Sequence, residues 1–97
     1  MEQHTYTFSG QQPPARRAHV GVVGSGDLEV LLEPAEPGTG AGIMLRTSVD
    51  GFGSTWYAVF ERFFARHDAA VRVTVNDFGA TPGTVALRLS QALEAAK

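Results

Sequence analysis

The chain is 97 residues long, a length that suits one compact domain and leaves no room for two. Ten acidic against eight basic residues give a net charge of −2, with no basic excess to hold nucleic acid or an anionic membrane. Cysteine is absent, which excludes disulfides, thiolate metal sites and cysteine nucleophiles. Any thiol chemistry must be done by something the chain carries.

Hydrophobic residues make up 43% of the sequence, enough for a core, although a domain of this size is expected to be marginally stable alone or to lean on a partner. Every apolar run is too short for a membrane span. Met1-Glu2-Gln3-His4-Thr5 has neither the basic start nor the apolar run of a signal peptide, so a cytoplasmic location is the expectation.

Thr5-Tyr6-Thr7-Phe8 alternates polar with apolar residues as a half-buried strand does. Ser9 to Pro14, with two prolines, breaks it. A second strand is expected over about Ala18 to Val23, with Ala18, Val20 and Val22 on one face. A third follows from Leu28 to Glu33, where Leu28, Val30 and Leu32 alternate with Glu29, Leu31 and Glu33. The four residues between them, Gly24-Ser25-Gly26-Asp27, make a hairpin the simplest connection.

Pro34 to Gly42 reads as a loop, and Ile43, Leu45 and Thr47 alternate with Met44, Arg46 and Ser48 in a fourth strand. From Ser54 the period changes to that of a helix: Trp56, Val59, Phe60, Phe63 and Phe64 line one face, opposite Glu61, Arg62 and Arg66. Val71, Val73 and Val75 mark a fifth strand. Thr81-Pro82 has the form of an N-cap followed by proline at the first helical position. Val85, Ala86, Leu89, Ala92 and Leu93 form the stripe of the second helix, with Leu87 off it.

The order β-β-β-β-α-β-α lets the fourth and fifth strands run parallel through a right-handed crossover, with the earlier strands pairing antiparallel by hairpins. Arg46, Arg72, Thr74 and Asn76 suit a solvated sheet face. The expected fold is α+β: a two-layer sandwich with a mixed, mostly antiparallel sheet of about five strands and both helices on one face.

Ser25 sits between two glycines that remove bulk and permit unusual backbone angles, so its hydroxyl is expected to be exposed. By spacing alone it is a turn serine. A nucleophilic serine needs a base and an orienting third group. His19, on the same hairpin, lies well down the strand from the tip, and the sequence lacks the Gly-x-Ser-x-Gly elbow.

A phosphate cradle is equally unsupported. Gly21 to Gly26 is followed by a strand rather than a helix. Asp77-Phe78-Gly79 matches a kinase metal-binding triplet, but the chain has no room for a kinase, and the triplet reads as a turn before Thr81. Asp27, Glu29 and Glu33 read as a solvated edge, and no histidine has metal-ligand spacing. Arg62, Arg66 and Arg88 read most simply as solvated helix faces. The alternative has them, or Arg16 and Arg17, docking an anionic group or an acidic partner. His67 lies near the end of the first helix, where the helix dipole favours its charge.

The run from Val23 to Pro34, containing Gly24-Ser25-Gly26-Asp27-Leu28-Glu29, resembles the acyl carrier (delta) subunit of malonate decarboxylase. So does Asp77-Phe78-Gly79-Ala80-Thr81-Pro82-Gly83 with the helix that follows. Thr47 to Gly51 and the Trp56 to Phe63 helix fit as well, so the resemblance spans nearly the whole chain.

The resemblance implies a non-catalytic carrier in which residues 1–97 form a single acyl-carrier domain. In that family the serine matching Ser25 is esterified through phosphate to a phosphoribosyl-dephospho-coenzyme A group, 2'-(5''-phosphoribosyl)-3'-dephospho-CoA. Its thiol holds acetyl or malonyl as a thioester. Gly24, Gly26 and Asp27 flank that attachment point. The implied partners are the acyl transferase subunit, the decarboxylase pair and the prosthetic-group transferase. A cysteine-free chain with an unobstructed hydroxyl agrees with this reading. The alternatives are an unmodified α+β binding or regulatory module, the related citrate lyase carrier and, more remotely, a small serine hydrolase.

Overall fold

A computed structural model describes residues 1–97. The strands are β1 (Glu2–Phe8), β2 (Ala18–Gly21), β3 (Leu28–Pro34), β4 (Ala41–Thr47) and β5 (Val71–Asp77), and the helices are α1 (Gly53–Arg66) and α2 (Pro82–Ala96). One five-stranded sheet has the order β1-β4-β5-β3-β2. β4 and β5 are parallel, joined through α1, and the other neighbours pair antiparallel. This is the α+β sandwich that the alternation and helical periods predict.

The route of the chain differs from consecutive hairpins. Only β2 and β3 form one; β1 pairs with β4 at the opposite edge. Aromatic packing accounts for this. Tyr6 and Phe8 face α1, with ring centroids 5.4 Å from Phe60 and 5.6 Å from Phe64 respectively. The proline-bearing segment then crosses from one sheet edge to the other, bridging Gln12 to Ala69 and bonding Arg16 N–H to the Ala96 carbonyl.

Inward alternation on β3, β4 and β5 meets the helical stripes in one core that includes Leu28, Val30, Ile43, Leu45, Val73, Val75, Phe60 and Leu89. Each such side chain contributes roughly 1.5–3 kcal/mol on leaving water. Trp56, Phe60, Phe63 and Phe64 are buried on α1 as their spacing predicts. On α2 the buried stripe is Val85, Leu89, Ala92, Leu93 and Ala96. Ala86, expected on that stripe, is exposed because it lines a groove between the helices with Gly83 and Ser90. Thr81 caps α2, its hydroxyl accepting from Thr84 N–H at 3.2 Å, with Pro82 opening the helix.

Arg46 and Arg72 are exposed and Thr74 and Asn76 half-buried on the face that no helix covers. Glu29 and Glu33 lie there too, but on an inner strand, since β3 is flanked by β2 and β5. The edge expected for them belongs to β2.

Candidate functional site

The connection between β2 and β3 is longer than the four-residue turn read from the sequence. β2 stops at Gly21, and the loop runs from Val22 to Asp27. Gly21 has φ +82°, and a Cβ there would lie 2.0 Å from the Leu28 carbonyl oxygen. The backbone therefore leaves the ladder two residues before alternation predicts. Val22 and Val23 consequently point to solvent, 60% and 57% exposed, instead of extending the strand.

At the tip, Asp27 N–H donates to the Gly24 carbonyl at 3.0 Å, closing a turn over Gly24–Asp27. Gly26, third in that turn, has φ +78°, the sign a type II turn requires at that position. Ser25 stands second and is exposed. A Cβ on Gly26 would meet nothing within 4 Å, and one on Gly24 only Val22 Cγ2 at 3.8 Å. Space around the hydroxyl is open, as the flanking glycines predict.

The far side of the turn is braced. Gly26 N–H donates to the Phe78 carbonyl at 2.7 Å, and Phe78 N–H returns a bond to the Asp27 carbonyl at 2.9 Å. These bonds carry the β3–β5 pairing, which ends at Leu28 opposite Asp77, one step past the strands. The Asp77-Phe78-Gly79 triplet is a turn, as expected, and it also supports the loop that presents Ser25.

Asp77 holds that support in shape. It is 3% exposed, and its carboxylate accepts from Thr47 Oγ1 at 2.8 Å, Gly79 N–H at 3.2 Å and Ala80 N–H at 3.0 Å. A buried carboxylate with three donors is satisfied rather than poised for chemistry.

Arg88 is not the solvated helix residue its position suggested. Its guanidinium reaches Asp27 with Nε to Oδ1 at 3.1 Å and Nη2 to Oδ2 at 2.7 Å, while Nη1 donates to Gln91 Oε1 at 3.0 Å. Leu28 N–H adds a 2.7 Å bond to Asp27 Oδ1. The Arg88 bonds, then that of Leu28, hold the Asp27 carboxyl below its usual range, and the same pair raises the Arg88 guanidinium.

Arg62 and Arg66 are exposed on α1. Arg16 holds the chain terminus: its guanidinium donates to the Lys97 carbonyl, Nε at 3.0 Å. His67 closes α1 with its ring 4.4 Å from that of Phe63. His19 is committed to Glu29, Nε2 to Oε2 at 3.0 Å, and Glu29 Oε1 accepts from Asn76 Nδ2 at 2.9 Å. The one histidine on the hairpin is thus bound to the sheet face, which argues against a serine–histidine pair.

Beside this site, at the carboxyl ends of the parallel strands β4 and β5, is a cavity of about 240 Å³. Val49, Phe52, Trp56, Val59, Ala80 and Val85 supply apolar walls, and Gly79 and Asp77 line the side nearest the loop.

The arrangement defines a two-layer α+β domain that presents a serine hydroxyl on a braced loop. The family model described as malonate decarboxylase delta subunit (MdcD) matches residues 15–96, and the chain belongs to that family. It is 52% identical over 95 residues to the malonate decarboxylase acyl carrier protein of Pseudomonas syringae pv. syringae (strain B728a), covering 97% of this chain and 95% of that protein. It is 53% identical over 95 residues to the protein of the same name from Azotobacter vinelandii (strain DJ / ATCC BAA-1303), with the same coverage. Among solved structures it is similar to a chain in the crystal structure of a Pseudomonas malonate decarboxylase hetero-tetramer in complex with malonate. That match has a TM-score of 0.94 and 49% identity, and covers 100% of both chains. No helix is long and apolar enough to cross a membrane.

Proposed function

We propose that this chain is the acyl carrier subunit of a malonate decarboxylase, with Ser25 as its covalent attachment point. Residues 1–97 act as one carrier domain in the cytoplasm. The group attached is 2'-(5''-phosphoribosyl)-3'-dephospho-CoA, joined to the Ser25 hydroxyl through phosphate. When bound it supplies the thiol, missing from the chain itself, that carries acetyl or malonyl as a thioester.

The observation that carries this reading is an exposed hydroxyl on a turn whose far side is fixed twice, by Phe78 to Gly26 and by Arg88 to Asp27. Open space at Gly24 and Gly26 fits a bulky substituent on Ser25. The chain's part is therefore to tether and present. Gly24 and Gly26 leave the hydroxyl approachable, and Asp27 keeps the tether in one place relative to the rigid sheet. Catalysis falls to partners: an acyl transferase subunit, a decarboxylase pair and, for loading, a prosthetic-group transferase. The hetero-tetrameric assembly of the similar Pseudomonas structure supports such partners.

Co-expression with the prosthetic-group transferase followed by intact-mass measurement tests the reading. The expected result is a gain of one phosphoribosyl-dephospho-coenzyme A, lost in Ser25→Ala. An unmodified mass under those conditions, or an adduct that persists in Ser25→Ala, defeats it.

A further inference from the structure

We infer that the cavity between the first turns of α1 and α2 receives the acetyl-bearing end of the chain's own prosthetic arm and excludes the malonyl-bearing one. This rests on the reading of Ser25 as the attachment point.

Position comes first. The cavity opens at the carboxyl ends of two parallel strands, where a crossover helix and the following helix diverge, a place where α/β sheets commonly leave room for ligands. It also adjoins the tether. Gly79 lines the cavity, and a Cβ on Gly79 would lie 3.9 Å from Gly26 N, the residue after Ser25. The loop that carries Ser25 thus packs against the Asp77–Gly79 turn that lines this space, and a long arm rooted on the loop can fold back into it.

The walls select the cargo. Phe52, Trp56, Val59 and Val85 give an apolar lining suited to a neutral acetyl thioester. The ionisable side chain in the lining is that of Asp77, already engaged by Thr47 and two backbone N–H groups. A malonyl carboxylate entering here meets desolvation and the like charge of Asp77, a cost that the partial positive charge of the α1 and α2 N-termini offsets only in part. Acetyl shelters while malonyl stays outside, where a decarboxylase reaches it. The same exclusion of water protects the acetyl thioester from hydrolysis to acetate and free thiol.

Trp56 is the sole tryptophan and forms part of the wall, which makes it the probe. The modified full chain is compared in its acetyl and malonyl forms by NMR. The acetyl form is expected to shift the Trp56 indole N–H and the Gly79 and Ala80 amides relative to the malonyl form. Thr55→Trp, an exposed position at the cavity lining, is expected to remove that difference and to speed loss of acetyl about threefold, the change that a docked fraction near two-thirds produces.

An adduct on Ser25 with the same Trp56 signal in both forms overturns this inference alone. So does a Trp56 shift that appears only when decarboxylase subunits are added, since the cavity then takes a partner's side chain. An unmodified Ser25 overturns the attachment reading and this inference together.

Discussion

Asp27 and Arg88 are separated by 61 residues and meet in a two-pronged ion pair, 2.7 Å from Nη2 to Oδ2 and 3.1 Å from Nε to Oδ1. The fork fixes direction as well as distance, because both guanidinium nitrogens must face both carboxylate oxygens. Asp27 closes the Ser25 turn and Arg88 projects from a helix packed on the core, so the pair ties a glycine-rich loop to the rigid part of the molecule.

Removing the fork is therefore expected to loosen the tip while sparing the fold. In Arg88→Leu, hydrogen exchange at Gly26 and Asp27 should accelerate several-fold while α2 amides keep their protection. Loading of Ser25 should slow, and Arg88→Lys should recover only part of the effect, since an ammonium cannot reproduce the fork. Unchanged exchange at Gly26 and Asp27 in Arg88→Leu contradicts a bracing role.

The same pair gives the loop a pH dependence. The folded state lowers the Asp27 carboxyl, chiefly through Arg88, so the unfolded chain takes up that proton first as pH falls. The stabilisation is present above the ordinary aspartate value of about 3.9 and is lost as pH drops through the lower folded value. Amide shifts of residues 22–27 should thus titrate below about pH 4, and Asp27→Asn should abolish the transition. A transition centred at or above the ordinary value counts against the fork.

Much of the fold is legible in the sequence because alternation and helical period report burial directly. Val71-Arg72-Val73-Thr74-Val75 is a strand with one buried face, and Trp56, Phe60, Phe63 and Phe64 bury one side of α1. The partner of β1 is not legible, because it depends on how Tyr6 and Phe8 fit against Phe60 and Phe64 of α1, far along the chain. Ser25 was visible through its glycines. Arg88 reads most simply as solvated, with docking to an anionic group as the alternative, and only the loop it faces, through Asp27, decides for the second. The meeting of Gly26 with Phe78 was likewise hidden by distance in sequence, and the β3–β5 pairing brings it about.

Two glycines bounding the loop should respond differently to alanine. At Gly21 the new Cβ would sit 2.0 Å from the Leu28 carbonyl oxygen, a backbone atom of the paired strand that has no room to yield. Gly21→Ala is expected to open the β2–β3 hairpin, with loss of protection at the paired Val20 and Val30. At Gly26 the space is open, so only the left-handed φ opposes a side chain, at about 1–2 kcal/mol. Thermal melts of the two variants separate them: Gly26→Ala should keep a cooperative transition lowered by about 4–16 °C, and Gly21→Ala should fall further. Equal effects contradict the close approach at Gly21.

Asp77 offers the sharpest test of how the turn beneath Ser25 is held. Asparagine fills the same volume but has one acceptor oxygen where the carboxylate uses two. If that oxygen faces Ala80 N–H, the amide group faces Gly79 N–H; if it is flipped, Ala80 N–H loses its acceptor. One part-buried N–H loses its acceptor and faces an amide donor either way, a cost near the lower end of about 1–3 kcal/mol. In a domain of this size, 1 kcal/mol corresponds to roughly 4–8 °C in Tm. Asp77→Asn is therefore expected to lower Tm by at least about 4 °C. Hydrogen exchange should also accelerate at Gly26, whose N–H is held by the Phe78 carbonyl in the same turn. Thr47→Val removes a donor to Asp77 and the acceptor of Val49 N–H but leaves the Gly79 and Ala80 N–H groups with theirs, so it should lower Tm while Gly26 exchange stays close to that of the parent. Gly26 exchange as fast in Thr47→Val as in Asp77→Asn would assign the support of the Ser25 loop to the Thr47 contact rather than to the turn.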